Sequence, residues 1–388
     1  MGFSVTTRTV ARSYQMGLSL VELMISLAIA SVVTVGVIQM FSANQESAAL
    51  LRGQATLGES GRFAMEMIGR SVRRANYRGC NSKRAVEDTI ATVPYEFALD
   101  LGLRGYEGNP GGTWSPDFST TSAPRTSGST DTDVYSPDSE ALTGIDLDNL
   151  TEGSDVITVW FASSTSYPVD TATQPLNSGT EAILLEASTA DIAADLAQYH
   201  IAFISDCSTE NMFVITQINA VGGKAELEHS AGAGIGLAQN LTPIMGTGSG
   251  YQDGARVYPI ISRTFYVGTS GNINAFGDPI TSLYRKDGVG APVELVEGVE
   301  NLQILYGVDN GGAALVPSIY LNAASVSDFR DVVAIRMQIT ANSIDDVGAT
   351  QQFRDLDDDG DIDADDVDGI LRRTFTQTIR LRNRLKKE

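Results

Sequence analysis

Residues 15–41 read QMGLSLVELMISLAIASVVTVGVIQMF. Gly17 precedes an apolar run that holds one acid, Glu22, and then nineteen uncharged residues, Leu23 to Phe41. As a helix those residues span about 28 Å, close to the ~30 Å hydrocarbon core of a bilayer. Ser26, Ser31 and Thr34 interrupt the run, and a helix absorbs such hydroxyls by bonding them to its own carbonyls. Arg8 and Arg12 are the only charges in the first seventeen residues. By the positive-inside rule they hold the N-terminus in the cytoplasm and send everything after Phe41 to the outer side.

A plain anchor gives Glu22 no purpose, since an acid at membrane depth costs roughly a few kcal/mol and by default marks a functional site. A cleaved secretory signal is the rival, because Ala28-Ile29-Ala30 has the small residues of a cleavage site. The apolar run nevertheless continues eleven residues past Ala30, and Glu22 would sit in the signal's core. The stretch Gly17-Leu18-Ser19-Leu20-Val21-Glu22-Leu23-Met24-Ile25 resembles the prepilin cleavage and assembly motif of type IV pilins and type II secretion pseudopilins. The resemblance implies that a prepilin peptidase cuts after Gly17 on the cytoplasmic side and methylates the new N-terminus at Leu18. Removing the leader, residues 1–17, takes away two arginines and moves the formal net charge from −21 to −23. Many major pilins start with Phe, so Leu18 favours a minor subunit. In this family the glutamate carboxylate meets the N-terminal amine of a neighbouring subunit. A buried pair offsets much of the cost of a lone buried charge, so Glu22 is expected to set each subunit's height in a fibre.

From Ser42 to about Tyr77 the pattern stays helical but turns amphipathic. Leu57, Ala64, Ile68, Val72 and Ala75 recur at helical spacing with polar residues between them. One long helix is expected over 18–77, membrane-embedded over about 23–41 and then packed on a globular head. Gly53, Gly58, Gly61 and Gly69 are expected to soften it. Arg70, Arg73, Arg74, Arg78, Lys83 and Arg84 cluster near its end. Cations favoured at a helix C-terminus, on a solvated face, explain them better than a binding patch does.

Residues 78–388 read as a β-rich head. Strand patterns fall at Asp155–Phe161, His200–Ile204, Met212–Ile218, Phe265–Val267, Leu302–Tyr306, Val332–Thr340 and Thr374–Leu381. Val333, Ile335, Met337 and Ile339 alternate with Ala334, Arg336 and Gln338, the sign of antiparallel sheet with one wet face. The fold class is therefore α+β: a pilin-like long helix packed on antiparallel sheet. Gly108–Thr130 and Ser230–Gly254 read as loops.

The formal net charge of −21 repels nucleic acid and suits a soluble exported head. Two histidines leave little material for His-based catalysis, and no nucleophile elbow or zinc motif accompanies them, so no enzyme is expected. Cys80 and Cys207 are a candidate disulfide in an exported chain and two separate thiols in a cytosolic one. A bridge would pin helix to sheet and stabilise by roughly 4–5 kcal/mol in the chain-entropy model.

Further landmarks narrow the resemblance. Glu294 to Gly307, Arg104 to Gly108, Asn76 to Cys80 and Arg380 to Arg384 look like stretches of the PilW-type minor pilins, relatives of the J-type pseudopilin of type II secretion. That resemblance implies a subunit of a pilus-tip priming complex that helps start fibre assembly. Its partners would be prepilin peptidase, other minor pilins, the major pilin and a tip adhesin. It would sit in the bacterial inner membrane with its head in the periplasm, and later at the pilus tip. A J-type pseudopilin and a calcium-dependent tip adhesin are the alternatives.

The segment Asp355–Asp366 has the spacing of a calcium loop. Asp355, Asp357 and Asp359 take alternating ligand positions, Gly360 permits the turn, and Asp361 offers its carbonyl. Asp363 ligates directly or through water, and Asp366 closes the site. The closing Asp replaces the Glu of an EF-hand, and no amphipathic helix precedes Asp355. A solvated acidic loop between two strands is the other reading, although eight Asp in twelve residues repel one another without a counterion.

Overall fold

The computed structural model describes residues 19–79, 92–93, 99, 101–116, 125–126, 149–176, 181–232, 234–235, 238–240, 250–274, 277–288, 290–309, 315–347 and 369–384. Helix α1 runs unbroken over Leu20–Arg74, 55 residues. The chain divides into two compact units, Met1–Arg52 and Gly53–Glu388.

In the first unit, α1 leaves its large apolar side chains exposed, from Leu20 at 75% to Phe41 at 62%. It is long and apolar enough to cross a membrane. In the second unit the same helix buries one stripe. Leu57, Ala64, Ile68, Val72 and the following Ala75 are all buried, as their spacing predicts. The helix is unbroken at the four glycines expected to soften it. Gly53, Gly58, Gly61 and Gly69 all lie on the buried face. There a Cβ on Gly61 would come within 2.1 Å of the Phe375 ring. The helix stops earlier than expected, because Asn76 takes a left-handed φ of 58°. Asn tolerates that conformation as a helix terminator.

The head holds two hydrophobic cores. The larger is built on a nine-stranded sheet whose main path follows β11-β10-β9-β3-β1-β2. These strands are β1 Leu103–Asn109, β2 Thr113–Ser115 and β3 Val156–Ala162, followed later in the chain by β9 Arg256–Ile273, β10 Pro279–Asp287 and β11 Val293–Glu297. A four-stranded sheet, in the order β13-β12-β14-β15, supplies the rest of that core. Its strands are β12 Val299–Val308, β13 Ile319–Leu321, β14 Val332–Asn342 and β15 Arg372–Arg380. In β14, Val333, Ile335, Met337 and Ile339 are buried while Arg336 and Gln338 are exposed, as the period-two reading expects, but Ala334, expected on the wet face, is buried too. The pairings of both sheets are antiparallel.

The smaller core lies between β3 and β9 in the chain. It gathers Tyr167, Leu185, Ile192, Phe213, Leu227 and Val257 among others. A three-stranded sheet of β4 Ile183–Leu184, β7 Gln217–Val221 and β8 Lys224–Glu228 serves it, while β5 Ile201–Ser205 and β6 Glu210–Val214 belong to the nine-stranded sheet and bury side chains in both cores. Met212–Ile218 is therefore not one strand. The break falls at Ile215 and Thr216, whose N–H groups turn to His200 and Glu228 carbonyls at 2.9 and 2.7 Å. Phe265–Val267 is one part of the 18-residue β9, which pairs with β5 at its start and with β3 further on. Gly108–Thr130 is not loop throughout, because β2 pairs with β1 and buries Trp114 at 7% exposure. In Ser230–Gly254, Asn240 is buried and uses its amide to bond both backbone groups of Val214, at 2.9 and 3.0 Å.

Candidate functional site

The head of α1 is built by its own sequence. Ser19 is the residue before the helix, and its Oγ accepts the Glu22 N–H at 3.2 Å. Its carbonyl accepts the Leu23 N–H at 3.1 Å, the first bond of the helix. Ser19 is thus an N-cap, a role that Ser fills by satisfying an otherwise unpaired first-turn donor. Glu22 lies in the first turn, where the helix dipole favours negative charge. Its side chain is exposed. The Ser-x-x-Glu spacing of Ser19 and Glu22 carried this signal in the sequence. Reading Glu22 only as an intermolecular group passes over it. Gly17 and Leu18, the expected cleavage pair, lie outside the described residues.

Further along the apolar run the hydroxyls behave as expected. Ser26 Oγ donates to the Glu22 carbonyl at 2.7 Å. Ser31 Oγ reaches Ala28 at 2.8 Å and Thr34 Oγ1 reaches Ala30 at 2.7 Å. No hydroxyl hydrogen of the three is left facing a lipid-like surroundings without an acceptor.

Within the head, the scattered landmarks converge. Asn76 Nδ2 donates to the Asn383 carbonyl at 2.9 Å, and Asn383 Nδ2 returns a bond to Ala75 at 3.2 Å. Arg384 donates to the Leu101 carbonyl at 2.7 Å. Gly105 lies so close to Tyr306 that a Cβ there would fall 1.8 Å from its hydroxyl. Residues far apart in sequence therefore meet at two places, Asn383 at the end of α1 and Tyr306 at Gly105. The arginines near that end do not form one patch. Arg70 pairs with Glu66 at 2.7 Å on the surface. Arg74 sits 4.3 Å from the Phe161 ring centroid. Arg78 is buried 4.0 Å from Glu210. Lys83 and Arg84 lie outside the described residues.

Cys207 sits in the turn between β5 and β6 with φ 72°. It is not a free thiol. Cys80 lies outside the described residues, as do Asp355, Asp357, Asp359, Asp361, Asp363 and Asp366. The flanks of that acidic segment are described and meet each other. The Val347 N–H bonds the Gly369 carbonyl at 3.0 Å, and the Leu371 N–H bonds Ser343 Oγ at 3.0 Å. Among the described residues no group of three or more His, Cys, Asp or Glu side chains is placed to hold a metal ion.

Residues 264–383 match the family model described as Type IV Pilus-assembly protein W, and residues 12–38 match the prokaryotic N-terminal methylation motif. The first match spans β10 to β15 and the landmarks within them. The second spans Gly17, Glu22 and most of the apolar run. No curated protein and no solved structure matches the chain. The two family matches support a type IV pilus minor pilin of the PilW kind, with an α+β pilin-like fold.

Proposed function

Taking a type IV pilus-related pilin as the premise, we propose that this chain helps start fibre assembly as part of a tip or priming complex. In this reading prepilin peptidase cuts after Gly17, and the mature chain waits in the inner membrane with its head in the periplasm. It then joins other minor pilins, the major pilin and a tip adhesin at the pilus tip. The observation that carries the reading is one acid, Glu22, in the first turn of α1, at the head of an uncharged run of membrane length, Leu23 to Phe41. A permanent anchor gains nothing from that carboxylate. A subunit that must leave the bilayer at a fixed height gains a register, because misplacement leaves a buried charge unpaired. The match to a pilus-assembly model favours the pilus over a type II secretion pseudopilin. The matched families are structural pilins, which suits a non-enzymatic subunit.

Two further features belong to the proposal. Cys80 and Cys207 form a disulfide that pins the end of α1 to the β5–β6 turn. Its support is that Cys207 is not a free thiol and that Cys80 is the one other cysteine in the sequence. Asp355 to Asp366 bind Ca2+, and support comes from the ligand spacing and from the closed base at Val347 and Gly369. A calcium-dependent adhesin is the second use for such an ion. Calorimetry of wild type and of Asp355→Ala with Asp359→Ala tests the ion. Absence of calcium heat in the wild type ends that part.

The central test is Glu22→Ala. Membrane insertion stays normal, while recovery of the subunit in sheared fibres falls about tenfold or more, as expected for loss of ~1.4 kcal/mol or more of pairing. Wild-type recovery of the variant with normal piliation would overturn the assembly reading.

A further inference from the structure

The seam between the two large sheets carries a pair of carboxyl groups that fibre assembly does not use. Asp155, just before β3, is 1% exposed. Its Oδ1 accepts the Gly108 N–H of β1 at 2.9 Å, and its Oδ2 accepts the Ile304 N–H of β12 at 2.7 Å. Its own N–H donates to the Leu302 carbonyl at 2.8 Å. The neighbouring Ser154 Oγ accepts the Leu302 N–H at 3.1 Å. Two consecutive residues therefore fasten the nine-stranded sheet to the four-stranded one.

The last pair of the β1–β3 ladder is Tyr106 with Val156. Carried one step past that pair, the register sets Glu107 opposite Asp155, and the Glu107 charge does act on Asp155; like charges so placed disfavour pairing. Glu107 is half-buried and accepts the Ala323 N–H at 3.2 Å. Among the described residues, Glu152 lies beside Gly112 in the turn between β1 and β2. On β1, Arg104 points to the opposite face and stacks on Tyr106, 5.6 Å from the ring centroid. On β12, Glu300 is engaged by Arg372 at 2.7 Å, and the Tyr306 hydroxyl lies over Gly105. The turn at Phe329–Asp331 adds Asp331 and Arg330, and Arg330 is held by Asp328 at 3.0 Å. Strand β2 and the turn at Ala323 contribute no charge.

We propose that Glu107 and Asp155 are a proton-binding pair, which closes the seam while it holds one proton and loosens it when both carboxyls ionise. The proton comes from water and returns to it. Burial pushes Asp155 up to about 7, and the Glu107 charge adds to this against the two N–H bonds. Burial also raises Glu107. A carboxyl raised on folding binds its proton more tightly in the native state. Its stabilisation is complete at low pH and is lost as pH climbs from the ordinary carboxylate range through about 7.

The experiment uses the full chain in detergent micelles, with hydrogen exchange followed by mass spectrometry over β12. Protection is corrected for intrinsic exchange at each pH. Between pH 5 and 8, protection around Leu302 to Ile304 is expected to fall about a hundredfold in the wild type, the linkage of the roughly two pH units between 5 and about 7. Glu107→Gln keeps a polar, half-buried side chain while removing the repulsion, so its fall is expected to be several-fold smaller than the wild type's, with burial of Asp155 keeping the rest. Asp155→Asn is expected to abolish the pH dependence. Should that variant not fold, Glu107→Gln still decides. A pH-independent wild type, or a Glu107→Gln fall equal to the wild type's, overturns the proposal.

Discussion

Helix α1 can be compared with itself. Between Leu20 and Phe41 its large apolar side chains are exposed, whereas between Leu57 and Val72 the apolar residues of one stripe are buried against the head. The backbone is the same and the propensities are similar. What differs is the angular width of the apolar surface. The first half is apolar nearly all round, which fits a helix whose solvent is lipid. The second half has a stripe for one sheet and charges elsewhere. Glycine makes the contrast sharp. A Cβ on Gly36 would meet nothing within 4 Å, while one on Gly61 would enter the Phe375 ring.

The largest break in that comparison comes from Gly61→Leu. Overpacking a tight site costs typically 1–3 kcal/mol, and the gain in helix propensity returns under about 1 kcal/mol. A net loss of about 2 kcal/mol in head stability is expected, read as a lower midpoint in denaturant. Phe375→Leu added to Gly61→Leu should recover part of the loss, since the clash is with that ring. Unchanged stability in Gly61→Leu would mean that the helix does not need this close approach.

The difference also explains which parts were legible in the sequence. The stripe from Leu57 to Ala75 and the alternation in β14 are local periodicities imposed by burial, so residue spacing alone revealed them. The glycines misled for a related reason. Read locally, Gly61 is a weak helix former, and only the ring of Phe375, more than three hundred residues away, gives it a packing role. Strand β9 was seen as three residues because its 18 residues change partners along their length, so no single alternation runs through it. At the candidate site, Glu22 stood out as a charge in an apolar run. Ser19 did not, although its spacing to Glu22 marks a cap. The Glu107–Asp155 pair was invisible, because the register that places them opposite each other depends on a ladder between distant strands.

A second, smaller effect separates the two cores of the head. His229 is 5% exposed, with Nε2 2.7 Å from the Glu181 carbonyl and Phe213 edge-on at 5.9 Å between centroids. Burial lowers its affinity for a proton, against the pull of the Glu181 carbonyl and nearby acids. The unfolded chain then binds the proton more readily, so stability is present above the ordinary histidine range and is lost as pH falls below it. This is the reverse of Asp155. Hydrogen exchange should show the smaller core loosening on mild acid while the seam at β12 tightens. His229→Phe should remove the acid loss in β6 and β8 and leave β12 unchanged. Parallel behaviour of the two cores with pH would show that one titration governs the whole head.

The smallest effect is expected at Gly36, and its smallness is what makes it informative. The site is open on all sides for a Cβ, so Gly36→Ala creates no clash and adds a better helix former. Head stability should stay within about 0.5 kcal/mol of the wild type, as for substitutions away from packed sites. Because the surrounding run is uncharged from Leu23 to Phe41, membrane insertion should also be unchanged. Any loss would therefore have to appear in fibres, where a neighbouring helix packed against Gly36 would be pushed away by the added methyl group. Fibre recovery measured for Gly36→Ala beside Glu22→Ala thus separates two uses of the first half of α1. A loss in both variants makes the glycine a close-contact point between subunits, whereas a loss in Glu22→Ala alone leaves register to the carboxylate.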